Sequence, residues 1–76
     1  MQTTVYSIPT CRYCQSVKKL LDELKVTYNN VDVSTDLEAQ REMIEKSGQV
    51  GVPVIDIDGE ILVGYDRAKL KKRLGK

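Results

Sequence analysis

Apolar positions along the chain repeat with two different periods. From Thr3 to Ser7 they alternate, with Val5 opposite Thr4 and Tyr6, and Pro9 follows. A period of two predicts a strand. From Tyr13 the spacing changes: Val17, Leu20, Leu21 and Leu24 stand at i, i+3, i+4 and i+7, with Lys18, Asp22 and Lys25 toward water. At 3.6 residues per turn those four share one stripe, which predicts an amphipathic helix. Tyr28 to Val33 is β-rich and predicts a second strand. Thr35-x-x-Glu38 has the form of a capping box opening a second helix, which carries Ala39, Met43 and Ile44 and stops at Gly48. Pro53 to Ile57 and Glu60 to Val63 are apolar runs joined by Asp58-Gly59, the pair favoured in a two-residue type I′ hairpin. Asp66 then reads as the cap of a third helix, with Leu70 and Leu74 inward and Gly75 at its end.

The predicted order is β-α-β-α-β-β-α. The first two strands flank a helix and should be parallel, with a right-handed crossover. The last two form an antiparallel hairpin. The expected class is α/β, a four-stranded mixed sheet flanked by three helices. Its expected core is Val5, Val17, Leu20, Leu21, Leu24, Val31, Met43, Ile44, Val54, Ile55, Ile57, Leu62, Leu70 and Leu74.

With 76 residues, the chain is expected to form one domain over 1–76. Twelve Lys and Arg against eleven Asp and Glu leave a net charge of +1, which gives no electrostatic case for a nucleic-acid partner. No apolar run nears the ~20 residues a bilayer requires. Met1-Gln2-Thr3-Thr4 lacks the basic and apolar regions of a secretory signal. The expectation is a cytoplasmic monomer that engages neither membrane nor nucleic acid. Histidine is absent, which removes imidazole acid–base chemistry and imidazole metal ligands.

The two cysteines, Cys11 and Cys14, change the picture most. A bridge between them closes too short a loop to stabilise the fold much, so they point to chemistry in a reducing compartment. They stand where the first strand hands over to the first helix. C-x-x-C beside a βαβ pattern reads as a thioredoxin-like redox motif. Helix-tip N–H groups, the macrodipole and the permanent charge of Arg12 all favour a thiolate at Cys11. Cys14 precedes Val17 by one turn and falls on the inward stripe, shielded. An exposed acidic thiol beside a buried neutral one is a nucleophile with its resolving partner. Two other readings stay open. A zinc site needs four ligands, so the pair could serve only a zinc ion or iron–sulfur cluster shared between two chains. Both thiols could also be inert core residues.

Val52-Pro53 opens the third strand. A trans proline simply starting a strand is one reading. A cis bond is the other, and it would leave the Val52 N–H and C=O free for an extended peptide. Gly64-Tyr65-Asp66 begins the third helix, as a plain cap or as a carboxylate site. From Asp66 to Lys76 there are six cations, Arg67, Lys69, Lys71, Lys72, Arg73 and Lys76, against one acid. This stretch reads as a solvated face suited to a helix C-terminus, in preference to a docking patch for an acidic partner.

Taken in order, Val5-Tyr6-Ser7, Cys11-Arg12-Tyr13-Cys14, Ser47-Gly48, Val52-Pro53, Asp58-Gly59 and Gly64-Tyr65-Asp66 resemble a small dithiol glutaredoxin of the thioredoxin superfamily. The resemblance covers nearly the whole chain. It implies a thioredoxin-like fold and a thiol-disulfide oxidoreductase, with Cys11 and Cys14 as a redox-active pair. It implies a cis Pro53 facing the thiols. It further implies glutathione binding at Tyr13, Gln49, Val52, Pro53, Gly64, Tyr65 and Asp66, where backbone at Val52 pairs with glutathione and Asp66 holds its γ-glutamyl end. Glutathione would be the cosubstrate, with no metal or organic prosthetic group. Implied partners are glutathionylated or disulfide-bearing proteins and glutathione reductase upstream. Three features depart from the family. Arg12 replaces a usual Pro. Ile8 stands where a Lys is frequent. Gln49 and Gly51 stand where a basic residue and a Thr are common. The missing cations keep a second reading open, a redoxin that serves ribonucleotide reductase and is fed by thioredoxin reductase. Arg12 also argues against a cluster-bridged dimeric carrier, because the family's cluster binders mostly have a small residue there.

Overall fold

The computed structural model describes residues 2–75. Its elements are β1 (Thr3–Ser7), α1 (Arg12–Glu23), β2 (Asn29–Asp32), α2 (Leu37–Ser47), β3 (Val54–Ile57), β4 (Glu60–Val63) and α3 (Arg67–Leu74). The sheet order is β2-β1-β3-β4. β1 and β2 run parallel, while β1–β3 and β3–β4 are antiparallel. This is the thioredoxin-like fold expected from the sequence. Lys76, the last cation of the basic stretch, lies outside the described residues.

Both faces of the sheet are covered, and the two central strands show why. Val5 and Ile55 pack with Val17, Leu20 and Leu21 of α1 and Leu70 and Leu74 of α3. On the other face Tyr6 and Val54 pack with Val33 and with Ala39 and Met43 of α2. Successive side chains of a strand point to opposite faces, so β1 and β3 are buried at consecutive positions. The edge strands β2 and β4 stay half-exposed. The β3–β4 turn has the expected form. Asp58 and Gly59 both take left-handed φ, 53° and 96°, as type I′ requires.

Four expectations need correcting. The cap of α2 is Asp36, whose carboxylate accepts from the Ala39 N–H at 3.1 Å. Starting one residue later than Thr35 predicts puts Glu38 in the second helical position, from which the capping box does not close. The second strand covers Asn29–Asp32 rather than Tyr28–Val33, with the Val33 N–H adding one bond to the Ser7 carbonyl at 3.0 Å. The third strand begins at Val54, because Pro53 has no N–H to give the ladder. Leu24, Val31, Ile44 and Leu62 are only half-buried at the margins of the core, whereas Tyr6, Val33 and Ala39 are fully inside.

Side-chain ties fix the helices. At the end of α2, Lys46 Nζ lies 2.8 Å from Asp56 Oδ2, 2.9 Å from the Tyr6 hydroxyl and 3.2 Å from Glu42 Oε1. Hydrogen bonds donated to Asp56, then to Tyr6, hold the Lys46 ammonium above its ordinary pKa, and the ammonium holds Asp56 below the ordinary carboxylate value. The anchor sits just before the loop that leads to Pro53. Arg73 grips Glu60 through Nε–Oε2 at 2.8 Å and Nη1–Oε1 at 3.3 Å, joining α3 to β4. No helix among the described residues is long and apolar enough to cross a membrane.

Candidate active site

Three segments singled out in the sequence meet at one end of the sheet, and strand register brings them there. Tyr6 of β1 pairs with Val54 of β3, and Val54 with Val63 of β4. The loop after β1, the loop before β3 and the turn after β4 therefore emerge side by side. They hold Cys11, Val52-Pro53 and Gly64-Tyr65-Asp66 respectively. Two contacts tie them together. Ile8 and Val52 pack against the same apolar cluster, and the Pro53 carbonyl accepts from the Gly64 N–H at 2.9 Å.

Cys11 is the N-cap of α1. Its backbone is extended, with φ −86° and ψ 117°, and its Sγ accepts from the Cys14 N–H at 3.2 Å. A tight turn from Ile8, closed by the Cys11 N–H on the Ile8 carbonyl at 3.3 Å, sets that position. Cys11 is half-buried, more sheltered than the exposed thiol expected. Cys14 is wholly buried, on the inward stripe with Val17. Burial pushes the Cys14 thiol up to about 11 from 9.0. Its hydrogen bond with Cys11 and the Cys11 charge add to the rise, while the Ile8 backbone and Lys18 offset part of it. One sulfur is thus reachable from solvent and the other keeps its proton. They stand one helical turn apart, joined through an amide.

The first turn of α1 contains no acid. Arg12 is exposed and forms no ion pair among the described residues, and Tyr13 is 63 % exposed. On the opposite wall the Val52–Pro53 bond is cis. Val52 is half-buried, and its N–H and C=O have no hydrogen-bond partner among the described residues. Asp66 caps α3, accepting from the Lys69 N–H at 3.1 Å. Gly64 has φ +80°, a conformation few side chains tolerate. Tyr65 is half-buried against the α1–α3 core. Gln49 is exposed, with its main chain held by Ser47 and its side-chain amide lying against Gly51. Val63, at the end of β4, and Val50, in the loop before β3, are 45 % and 70 % exposed. Val50 is absent from the expected site; an apolar residue between Gln49 and Gly51, outside any periodic run, was the available signal.

A family model, described as Glutaredoxin, matches residues 3–62. The chain belongs to the glutaredoxin family. A glutaredoxin-like 8.6 kDa protein from the rubredoxin operon of Clostridium pasteurianum, itself uncharacterized, is 40 % identical over 72 residues, covering 95 % of this chain and 96 % of that one. The crystal structure of a thioredoxin-like protein superposes with a TM-score of 0.89 at 30 % identity, covering 95 % and 99 % of the two chains. A buckwheat glutaredoxin solved with glutathione gives 0.76 at 32 % identity, covering 97 % of this chain and 70 % of that one. Membership in the glutaredoxin family supports thiol-disulfide oxidoreductase chemistry for this fold.

Proposed function

We propose that this protein reduces disulfides with Cys11 as nucleophile and Cys14 as resolving thiol. The carrying observation is the pair itself: a reachable Cys11 sulfur at a helix cap, one turn from a buried Cys14 that holds its proton. The Cys11 thiolate attacks one sulfur of a disulfide. The target S–S bond breaks, a mixed disulfide with Cys11 forms, and the departing thiolate takes a proton. Cys14 then attacks Cys11 Sγ. The mixed disulfide breaks, a Cys11–Cys14 disulfide forms, and the Cys14 proton ends on the second departing thiol. Two electrons have moved to the target. Two thiols restore the pair. When the target is a glutathione mixed disulfide, a second glutathione resolves it in place of Cys14.

Glutathione is the cosubstrate we favour, in a reducing cytoplasm, with no resident cofactor. Three features support this: the free backbone groups of Val52, the α3 cap at Asp66, and the glutathione seen with the buckwheat relative. Tyr13, Pro53, Gly64 and Tyr65 would shape the rest of that groove. A specific observation also favours the redoxin reading. Ile8 packs into the apolar cluster and Gln49 is uncharged, so neither supplies a cation for a glycyl carboxylate. One experiment separates the two. Turnover of a disulfide is measured with glutathione plus glutathione reductase, and with thioredoxin reductase. Cys11→Ser should abolish both, and Cys14→Ser only the reduction of protein disulfides. Activity surviving in Cys11→Ser would defeat the assignment.

A further inference from the structure

The net charge of +1 is unevenly spread over the fold. α1 and α3 lie on the same face of the sheet. They are joined by Arg67 and Glu23 at 3.8 Å, beside a shallow groove lined by Ser16, Lys19, Glu23, Tyr65 and Arg67. Together these two helices carry eight Lys and Arg against Asp22, Glu23 and the capping Asp66. α2, on the opposite face, carries three Glu and the capping Asp36 against Arg41 and Lys46. Of the eight cations only Arg67 and Arg73 are in ion pairs among the described residues. Lys19 lines that groove beside Arg67, while Lys69 and Lys72 are exposed along the β4 side of α3, and none of the three is in an ion pair among the described residues. On α3 alone the cations suit a solvated helix end rather than a docking patch for an acidic partner, but the packing sets those of α1 on the same face of the sheet. Cys11 stands at the tip of this layer as the cap of α1.

We propose that the α1–α3 face docks an acidic protein whose disulfide is exchanged at Cys11. This rests on the oxidoreductase reading above and names the chemistry of the partner. Cationic surfaces attract acidic ones and speed their encounter, most at low salt. A nucleic acid would suit the charge but brings no sulfur to the thiol beside it. A second copy offers only the weakly acidic α2 face, where Lys46 already engages Glu42 and Asp56.

The probes are two peptides with the same disulfide loop, one flanked by Glu and the other by Lys. Their reduction by the pre-reduced protein is followed in single turnover, each rate divided by that with dithiothreitol. The acidic peptide should react about tenfold faster at low ionic strength, with the gap closing in high salt. Lys19→Glu/Lys69→Glu/Lys72→Glu should level or invert the order, and the corresponding Gln variants should narrow it. Neither set should change the rate with 2-hydroxyethyl disulfide. Equal rates for the two peptides would overturn the docking proposal. Failure of wild type to reduce 2-hydroxyethyl disulfide would instead defeat the oxidoreductase reading. Labelled DNA binding more tightly than the acidic peptide at physiological salt would overturn the proposal in favour of nucleic acid. A salt-sensitive dimer in sedimentation would overturn it in favour of self-association.

Discussion

Replacing Cys11 with Ser leaves Cys14 as the only thiol, and its reactivity can be worked out from its surroundings. With a pKa of about 11, roughly one Cys14 in ten thousand is ionised at pH 7, against about 1 % for a thiol at the unshifted 9.0. Since the thiolate is the nucleophile, alkylation should be about 100-fold slower than for a free cysteine. Burial is the largest cause of the shift and survives the substitution, while the contribution of Cys11 is lost. Slowing of at least about 30-fold is therefore expected. Iodoacetamide labelling at pH 7, followed by mass spectrometry in native buffer and in guanidinium chloride, reads the ratio directly. Native and unfolded rates within about threefold of each other would refute the reasoning. The same shift has a stability consequence. Because the folded value lies above the unfolded one, the contribution is full below pH 9.0 and is lost as pH rises toward 11. The stability gap between reduced wild type and Cys14→Ser should accordingly shrink by about 1–2 kcal/mol between pH 8 and 11.

Asp56→Asn weakens the anchor of α2 and should cost about 1–2 kcal/mol after allowance for water, read as a lower thermal midpoint. The Asp56 pKa is depressed, so its contribution is present above 3.8 and fades as pH falls through the folded value, and variant and wild type should converge in acid. Ile8→Lys restores a cation beside Cys11 and should lower KM for a glutathionylated peptide several-fold, more at low salt. Its worth is about 0.3–1 kcal/mol, and an unchanged KM would count against glutathione as cosubstrate. Asp66→Ala removes the α3 cap, costing about 0.5–2 kcal/mol in urea melts, and should raise the same KM.

Much of this was legible from local pattern. The Asp58-Gly59 turn, the glycine stops at Gly48 and Gly75 and the placement of Cys11 at a helix start depend on neighbouring residues alone. What escaped depends on the third dimension. Alternation in β1 separates Val5 from Tyr6 but does not reveal that a helix covers each side, so Tyr6 was missing from the expected core. Thr35 and Asp36 are adjacent cap formers, and the choice between them falls to the residue whose oxygen meets the Ala39 N–H. Lys46 reaches Tyr6 across 40 positions of sequence, a tie no window of residues exposes. The convergence of Cys11, Pro53 and Gly64 became definite only with the register of three strands. Sequence placed the pieces in order, and the sheet supplied their neighbours.

All three helices begin in the same way, with a side chain accepting an N–H three residues on. Asp36 and Asp66 do this with carboxylates, and Cys11 with sulfur. Two of these acceptors are permanent, and the third has an electron pair that also makes and breaks bonds. A disulfide sulfur is a weaker acceptor than a thiolate, so each time Cys11 is tied up the opening turn of α1 loses grip on its amide. The Cys14 N–H is therefore a built-in gauge of oxidation state. Its amide proton shift and exchange rate should follow the redox cycle, with the Ala39 and Lys69 amides beside it in the spectrum as fixed internal standards.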